Sequence, residues 1–164
     1  MAQGLSPKEN RDVPPLEYHR VYALKTMFPD LTISINGGIE TLDAAEAHLA
    51  HVDGVMLGRA AYQNPYLLAE VDRRFFGDKN PPRSRAEIIE QLLPYAERQV
   101  AQGVPIHAIA RHVLGLFQGQ PAARSWRRYI SENAPRAGAS AWVLTEALRE
   151  VLSRQQALQA AEVE

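Results

Sequence analysis

Thr32-Ile33-Ser34-Ile35 places β-branched residues close together and stops at Asn36-Gly37-Gly38-Ile39. Asp53-Gly54-Val55-Met56-Leu57 is a second short apolar run, and it stops at Gly58-Arg59. Both read as strands closed by glycine. Between them Thr41 to Leu49 is Ala-rich with no breaker, so the pattern is strand, helix, strand, which implies a right-handed parallel crossover. A glycine just past a strand lets backbone N–H groups approach an anion with no Cβ in the way. In a (β/α)8 barrel the loops after the last two strands are the usual phosphate grip.

Proline, glycine and capping residues punctuate the remainder. Leu5 to Pro15 reads as loop, and Leu16 to Phe28 as a helix stopped by Pro29-Asp30. Asn64-Pro65 fits a helix start, with Asn as N-cap and Pro in the first position, leading into Tyr66 to Phe76. Gly77 to Arg83 is rich in Gly, Asp, Asn and Pro, and no strand-like alternation follows it. Ser84-Arg85-Ala86-Glu87 is a capping box opening a helix to about Gln102. Pro105 begins a second helix to Gln118, Pro121 a third through about Glu132, and Ser140 a fourth to the C-terminus.

These elements predict α/β plus all-α organisation: 1–77 βα-like, 78–83 linker, 84–164 a small helical bundle. A (β/α)8 barrel takes roughly 250 residues, and only two strands are visible. The expectation is therefore the C-terminal portion of a TIM barrel, its last two strands and helices, followed by the bundle. A small independent α/β domain is the alternative, but two parallel strands leave edges exposed and little to pack against.

Composition narrows the chemistry. The chain has 164 residues, 46% hydrophobic and 23% charged, enough for an ordinary core and unlike a disordered tail. No apolar run approaches the roughly 20 residues of a membrane span, and Met1-Ala2-Gln3-Gly4 leads into charge, so a cytoplasmic protein is expected. There are no cysteines, which removes disulfides, thiolate metal sites and cysteine nucleophiles together. The five histidines show no metal-like spacing, and no metal is expected; His48 and His51, three apart with no third ligand, read as helix surface. A net charge of -1 gives no bulk attraction to nucleic acid. Distribution matters more: Gly103 to Gly138 holds Arg111, Arg124, Arg127, Arg128 and Arg136 against Glu132 alone, a local +4. Arg124, Arg127 and Arg128 share one helical face by their i, i+3, i+4 spacing, a phosphate-contacting arrangement, with Trp126 and Tyr129 on the packed side.

Four segments together resemble a known family: Gly4-Leu5-Ser6-Pro7-Lys8-Glu9-Asn10-Arg11, Ile35-Asn36-Gly37-Gly38-Ile39, Asp53 to Arg59 with Ala61-Tyr62-Gln63-Asn64-Pro65, and Arg111-His112-Val113-Leu114-Gly115-Leu116-Phe117-Gln118-Gly119. In this order and spacing they are similar to the tRNA-dihydrouridine synthases of the A-type branch, over nearly the whole chain. The resemblance implies an FMN-dependent barrel followed by a helical tRNA-binding domain, of which this chain matches the C-terminal half. It implies reduction of the C5–C6 double bond of a tRNA uridine, with NADPH reducing the FMN, the flavin passing hydride to the base, and a cysteine giving the second proton. That cysteine and the N-terminal barrel half lie upstream of residue 1 in the family, so the isolated chain is expected to be inactive.

The same resemblance assigns Asn36, Gly37, Gly38, Gly58 and Arg59 to the flavin phosphate and ribityl end. Lys8, Arg11, Arg124 and Arg127 fall to tRNA. Ala123 departs from the family, which often has glycine there, and alanine is compatible with a helix start. Two other readings stay open at this stage: a tRNA-binding module in which only the bundle matters, and another FMN barrel oxidoreductase acting on a small molecule.

Overall fold

The computed structural model of the chain describes residues 15–161. Its order is α1 (Tyr18–Met27), β1 (Ser34–Asn36), α2 (Leu42–Leu49), β2 (Gly54–Met56), α3 (Arg59–Gln63), a 3-10 turn (Pro65–Glu70), α4 (Val71–Phe75), α5 (Arg85–Ala101), α6 (Ile106–Ala110), a 3-10 turn (Arg111–Val113), α7 (Ala123–Asn133) and α8 (Trp142–Ala161). Two compact units meet at the Gly58–Arg59 bond. Mostly helical, with a small parallel sheet, the architecture is that of a partial α/β unit followed by an all-α one.

In the first unit β1 and β2 pair in parallel, Ser34 opposite Gly54, Ile35 opposite Val55 and Asn36 opposite Met56. Helix α2 makes the crossover, opened by Thr41, whose hydroxyl accepts the Ala44 N–H at 3.1 Å. Ile35, Ile39, Leu42, Ala45 and Val52 form the buried face. Asp53 ties the entry to β2 into the start of β1: its carboxylate accepts the Ile33 N–H at 2.8 Å and pairs with Lys25 at 2.9 Å. Both the Ile33 hydrogen bond and Lys25 hold that carboxyl below the ordinary carboxylate value. Helix α1 buries no residue completely, and Leu24, Met27, Phe28, Leu31 and Met56 stay exposed in this unit. His48 corrects the surface reading. It is buried, with its ring edge-on to Tyr18 at 4.5 Å and its Nδ1 hydrogen-bonded to the Tyr22 hydroxyl at 2.5 Å. These partners come from α1, about 30 residues back in the chain, and no local spacing announces them.

The second unit is built on Trp126, Val143, Leu144, Ala147, Val151, Ile89 and Ile106, all fully enclosed. Ser84 and Glu87 form the expected reciprocal capping box at the start of α5. The helix expected from Pro105 to Gln118 ends instead at Ala110 and gives way to 3-10 and turn geometry. Its later carbonyls are claimed from outside: Trp126 Nε1 donates to the Val113 carbonyl at 2.9 Å and Arg85 Nε to that of Leu116 at 2.8 Å. Similarly, Pro121 does not open α7, because Ala122 takes a left-handed conformation, φ 62°, and the helix begins at Ala123.

Residues 59–77 group with the helices, whereas composition alone puts the division at Gly77. The reason is steric and electronic. Gly115 approaches the Gln63 backbone so closely that a Cβ would fall into the Gln63 carbonyl. The Arg85 guanidinium lies 3.6 Å from the centre of the Tyr66 ring, and burial beside it lowers the arginine's proton affinity. Asn64 also departs from the expected N-cap role. It makes no capping hydrogen bond, a 3-10 turn follows it, and its Oδ1 is buried without a partner among the described residues.

Candidate functional site: two strand-end turns and an arginine face

The turn after β1 is shaped by consecutive glycines with positive φ, Gly37 at 123° and Gly38 at 60°. A non-glycine residue pays for that conformation with Cβ strain. The space is also taken: a Cβ on Gly38 would sit 2.8 Å from Leu16 Cδ1 and 3.3 Å from the Tyr18 hydroxyl, and one on Gly37 3.0 Å from Leu16 Cδ2. The Tyr18 hydroxyl donates to the Gly37 carbonyl at 2.7 Å, so one peptide plane of the turn is fixed from α1. Tyr18 and Leu16 have no signal in the sequence beyond lying at a helix start, and sequence reasoning passed over them. Asn36 is exposed at the end of β1.

Gly58 follows β2, exposed, with nothing within 4 Å of the position its Cβ would take. Arg59 comes directly after it, exposed, as the first residue of α3. Parallel pairing of β1 with β2 puts Asn36 and Met56 side by side, so the two turns leave the same end of the sheet. A small anion presented to that end of the sheet meets two glycine turns.

Helix α7 sorts its residues by face. Ser125, Trp126, Ile130 and Asn133 are buried, while Arg124, Arg127 and Arg128 are exposed. Tyr129 packs half-buried against the core. The three arginines are not equivalent. Arg128 reaches Glu150 at 3.4 Å, a carboxylate that Arg154 also holds at 3.1 Å, whereas Arg127 donates to the neutral Gln118 amide at 3.2 Å. Arg111 and Arg136 are exposed in the same unit. Lys8 and Arg11 lie outside the described residues. Among the described residues no three His, Cys, Asp or Glu side chains gather as a metal set, and no helix is long and apolar enough to cross a membrane.

A family model described as dihydrouridine synthase matches residues 4–156 of this chain. The tRNA-dihydrouridine(20/20a) synthase of Vibrio cholerae is 54% identical over 148 residues, covering 90% of this chain and 45% of that protein. The same-named protein of Escherichia coli K12 is 56% identical over 151 residues (92% and 44%), and that of Salmonella typhi 58% over 146 (89% and 44%). The chain thus spans about half the length of the curated relatives it matches.

Proposed function

This chain belongs to the dihydrouridine synthase family, and from that premise we propose that it carries the C-terminal portion of a tRNA-dihydrouridine synthase: the closing strands of an FMN-binding TIM barrel and the helical domain that holds tRNA. The observation carrying the reading is the pairing, in one chain, of two glycine turns at one end of a parallel sheet with an exposed arginine face on a separate helical unit. Exposed Leu24, Met27, Phe28 and Leu31 on the first unit fit a piece of barrel whose neighbouring elements would cover them.

The turns suit the phosphate end of FMN. Gly37, Gly38 and Gly58 offer main-chain groups at the sheet end with no side chain of their own, Asn36 adds an exposed amide beside them, and Arg59 follows Gly58 with a guanidinium suited to a phosphate. FMN held there and reduced by NADPH would supply the hydride that reduces a uridine to 5,6-dihydrouridine. The chain's own residues bind and orient. With no cysteine in its sequence, it has no thiol to give the second proton, and alone it is inactive. Alone it also carries little FMN, because a phosphate grip supplies only part of the affinity for a flavin; a purified chain with stoichiometric flavin absorbance would refute this.

Arg124 and Arg127, with Lys8 and Arg11, contact tRNA phosphates. The test is fluorescence anisotropy with labelled tRNA across a salt series. Each neutralised phosphate releases counterions, so affinity falls steeply with salt. Arg124→Ala with Arg127→Ala should lower both the affinity and the salt slope, and Arg154→Ala, already committed to Glu150, should change little. Equal losses in the two variants would reduce the arginine face to solvated charge.

A further inference from the structure

The second unit contains a groove that the arginine face does not use. Leu92, Val104, Ile109 and Val113 line its apolar floor, Tyr95 and His112 also line it, and its volume is about 310 Å³. Tyr95 is 46% exposed although it stands on α5 next to fully buried Ala96. The His112 ring meets Tyr62 edge-on, with centroids 5.7 Å apart and planes at 81°, and Tyr62 is 53% exposed. No carboxylate lines the groove. Exposed Arg98 follows Tyr95 by three residues on α5, and exposed Arg111 immediately precedes His112.

The geometry points to a docking site for one unpaired nucleobase of RNA, its ring laid against Tyr95 and His112 and its backbone phosphates toward Arg98 and Arg111. Aromatic platforms beside arginines are how proteins hold unstacked bases, since every base has a π-face and every linkage a negative charge. The charge arrangement selects this occupant: an apolar floor free of carboxylates, with exposed Arg98 one helical turn beyond Tyr95 and exposed Arg111 next to His112 in the chain, complements a flat ring on a polyanion. A protein helix needs a row of pockets for its i, i+3, i+4 and i+7 side chains, and this cavity is at the small end of ligand sites. The inference rests on the proposed binding of tRNA and adds a base contact to its phosphate contacts.

The experiment measures tRNA affinity of the full chain against salt for wild type, Tyr95→Ala and Tyr95→Phe, with sedimentation of each protein alone. Stacking is electrostatically silent, so Tyr95→Ala should weaken binding about tenfold with an unchanged salt slope, and Tyr95→Phe should restore the affinity. That differs from the arginine pair, which must lower the slope. Wild-type affinity in a folded Tyr95→Ala chain overturns the base site while leaving the tRNA reading intact. A fall in slope as well as affinity also overturns it, because the tyrosine would then be acting through phosphate contacts. Conversion of a self-associated chain to monomer by Tyr95→Ala assigns the groove to a second copy. Absence of tRNA binding by wild type at low salt overturns both proposals together.

Discussion

Gly115→Ala should be the most damaging one-methyl change in the helical unit. The added Cβ would fall into the Gln63 carbonyl and lie 3.0 Å from Pro65 Cδ. Neither neighbour can rotate away: one is main chain, and the other is a ring with fixed φ. The Asn64 N–H holds the Ala60 carbonyl at 2.9 Å on one side of the contact. On the other, Leu116 and Phe117 are tied to Arg85 and Trp126. Overpacking a closed site costs about 1–3 kcal/mol, and with backbone opposing backbone the upper part of that range applies, about 2–3 kcal/mol. In a unit of this size 1 kcal/mol moves the melting temperature by about 4–8 °C, so thermal unfolding followed by far-UV circular dichroism should fall by about 10–20 °C. Gly119→Ala is the comparison. Its Cβ would meet nothing within 4 Å, and only its positive φ of 73° penalises it, at about 1–2 kcal/mol. If Gly115→Ala melts within a few degrees of wild type, or above Gly119→Ala, residues 59–70 do not pack on the 115–117 turn and the division of the chain at residue 58 is wrong.

Two further outcomes follow from charge. Asp53 has a folded-state pKa below its ordinary 3.8, first through the Ile33 N–H and then through Lys25, so its contribution is present above that value and is lost as the pH falls through the lower, folded one; amide exchange should show Ile33 protection lost in acid, and Asp53→Asn should abolish that pH dependence. Glu150 occupies Arg128 as well as Arg154, so Glu150→Gln should raise tRNA affinity and steepen its salt dependence, and an unchanged anisotropy titration would remove Arg128 from the RNA face.

What the sequence made legible was local. The Ser84–Glu87 capping box, the breaker-free crossover helix and the two glycine strand ends each depend on residues a few positions apart. So does the division of α7 into an arginine face and a face carrying Trp126. What escaped depends on distant partners. The helix from Pro105 stops at Ala110 because Trp126 and Arg85 compete for carbonyls beyond it. Asn64 turns its amide oxygen inward instead of capping. His48 is buried by tyrosines from another helix, and Tyr18 reaches the glycine turn across 19 residues. Within the site, the backbone positions were visible as glycines, while the side chains that fix them had no pattern to give them away.

The first unit's short sheet has a consequence for assembly. Among the described residues β1 and β2 pair only with each other, so each strand keeps one side for a further neighbour, and the exposed apolar residues of α1 add to the surface left open. Where such neighbours belong to the same polypeptide they meet this sheet at an effective concentration on the order of millimolar. Supplied as a separate chain at about micromolar concentration, the same surfaces would meet with about a thousandfold handicap, or about 4 kcal/mol. Covalent continuity is then itself a stabilising interaction, comparable to the deletion of a large buried side chain, and it acts on a unit whose own core is the smaller of the two.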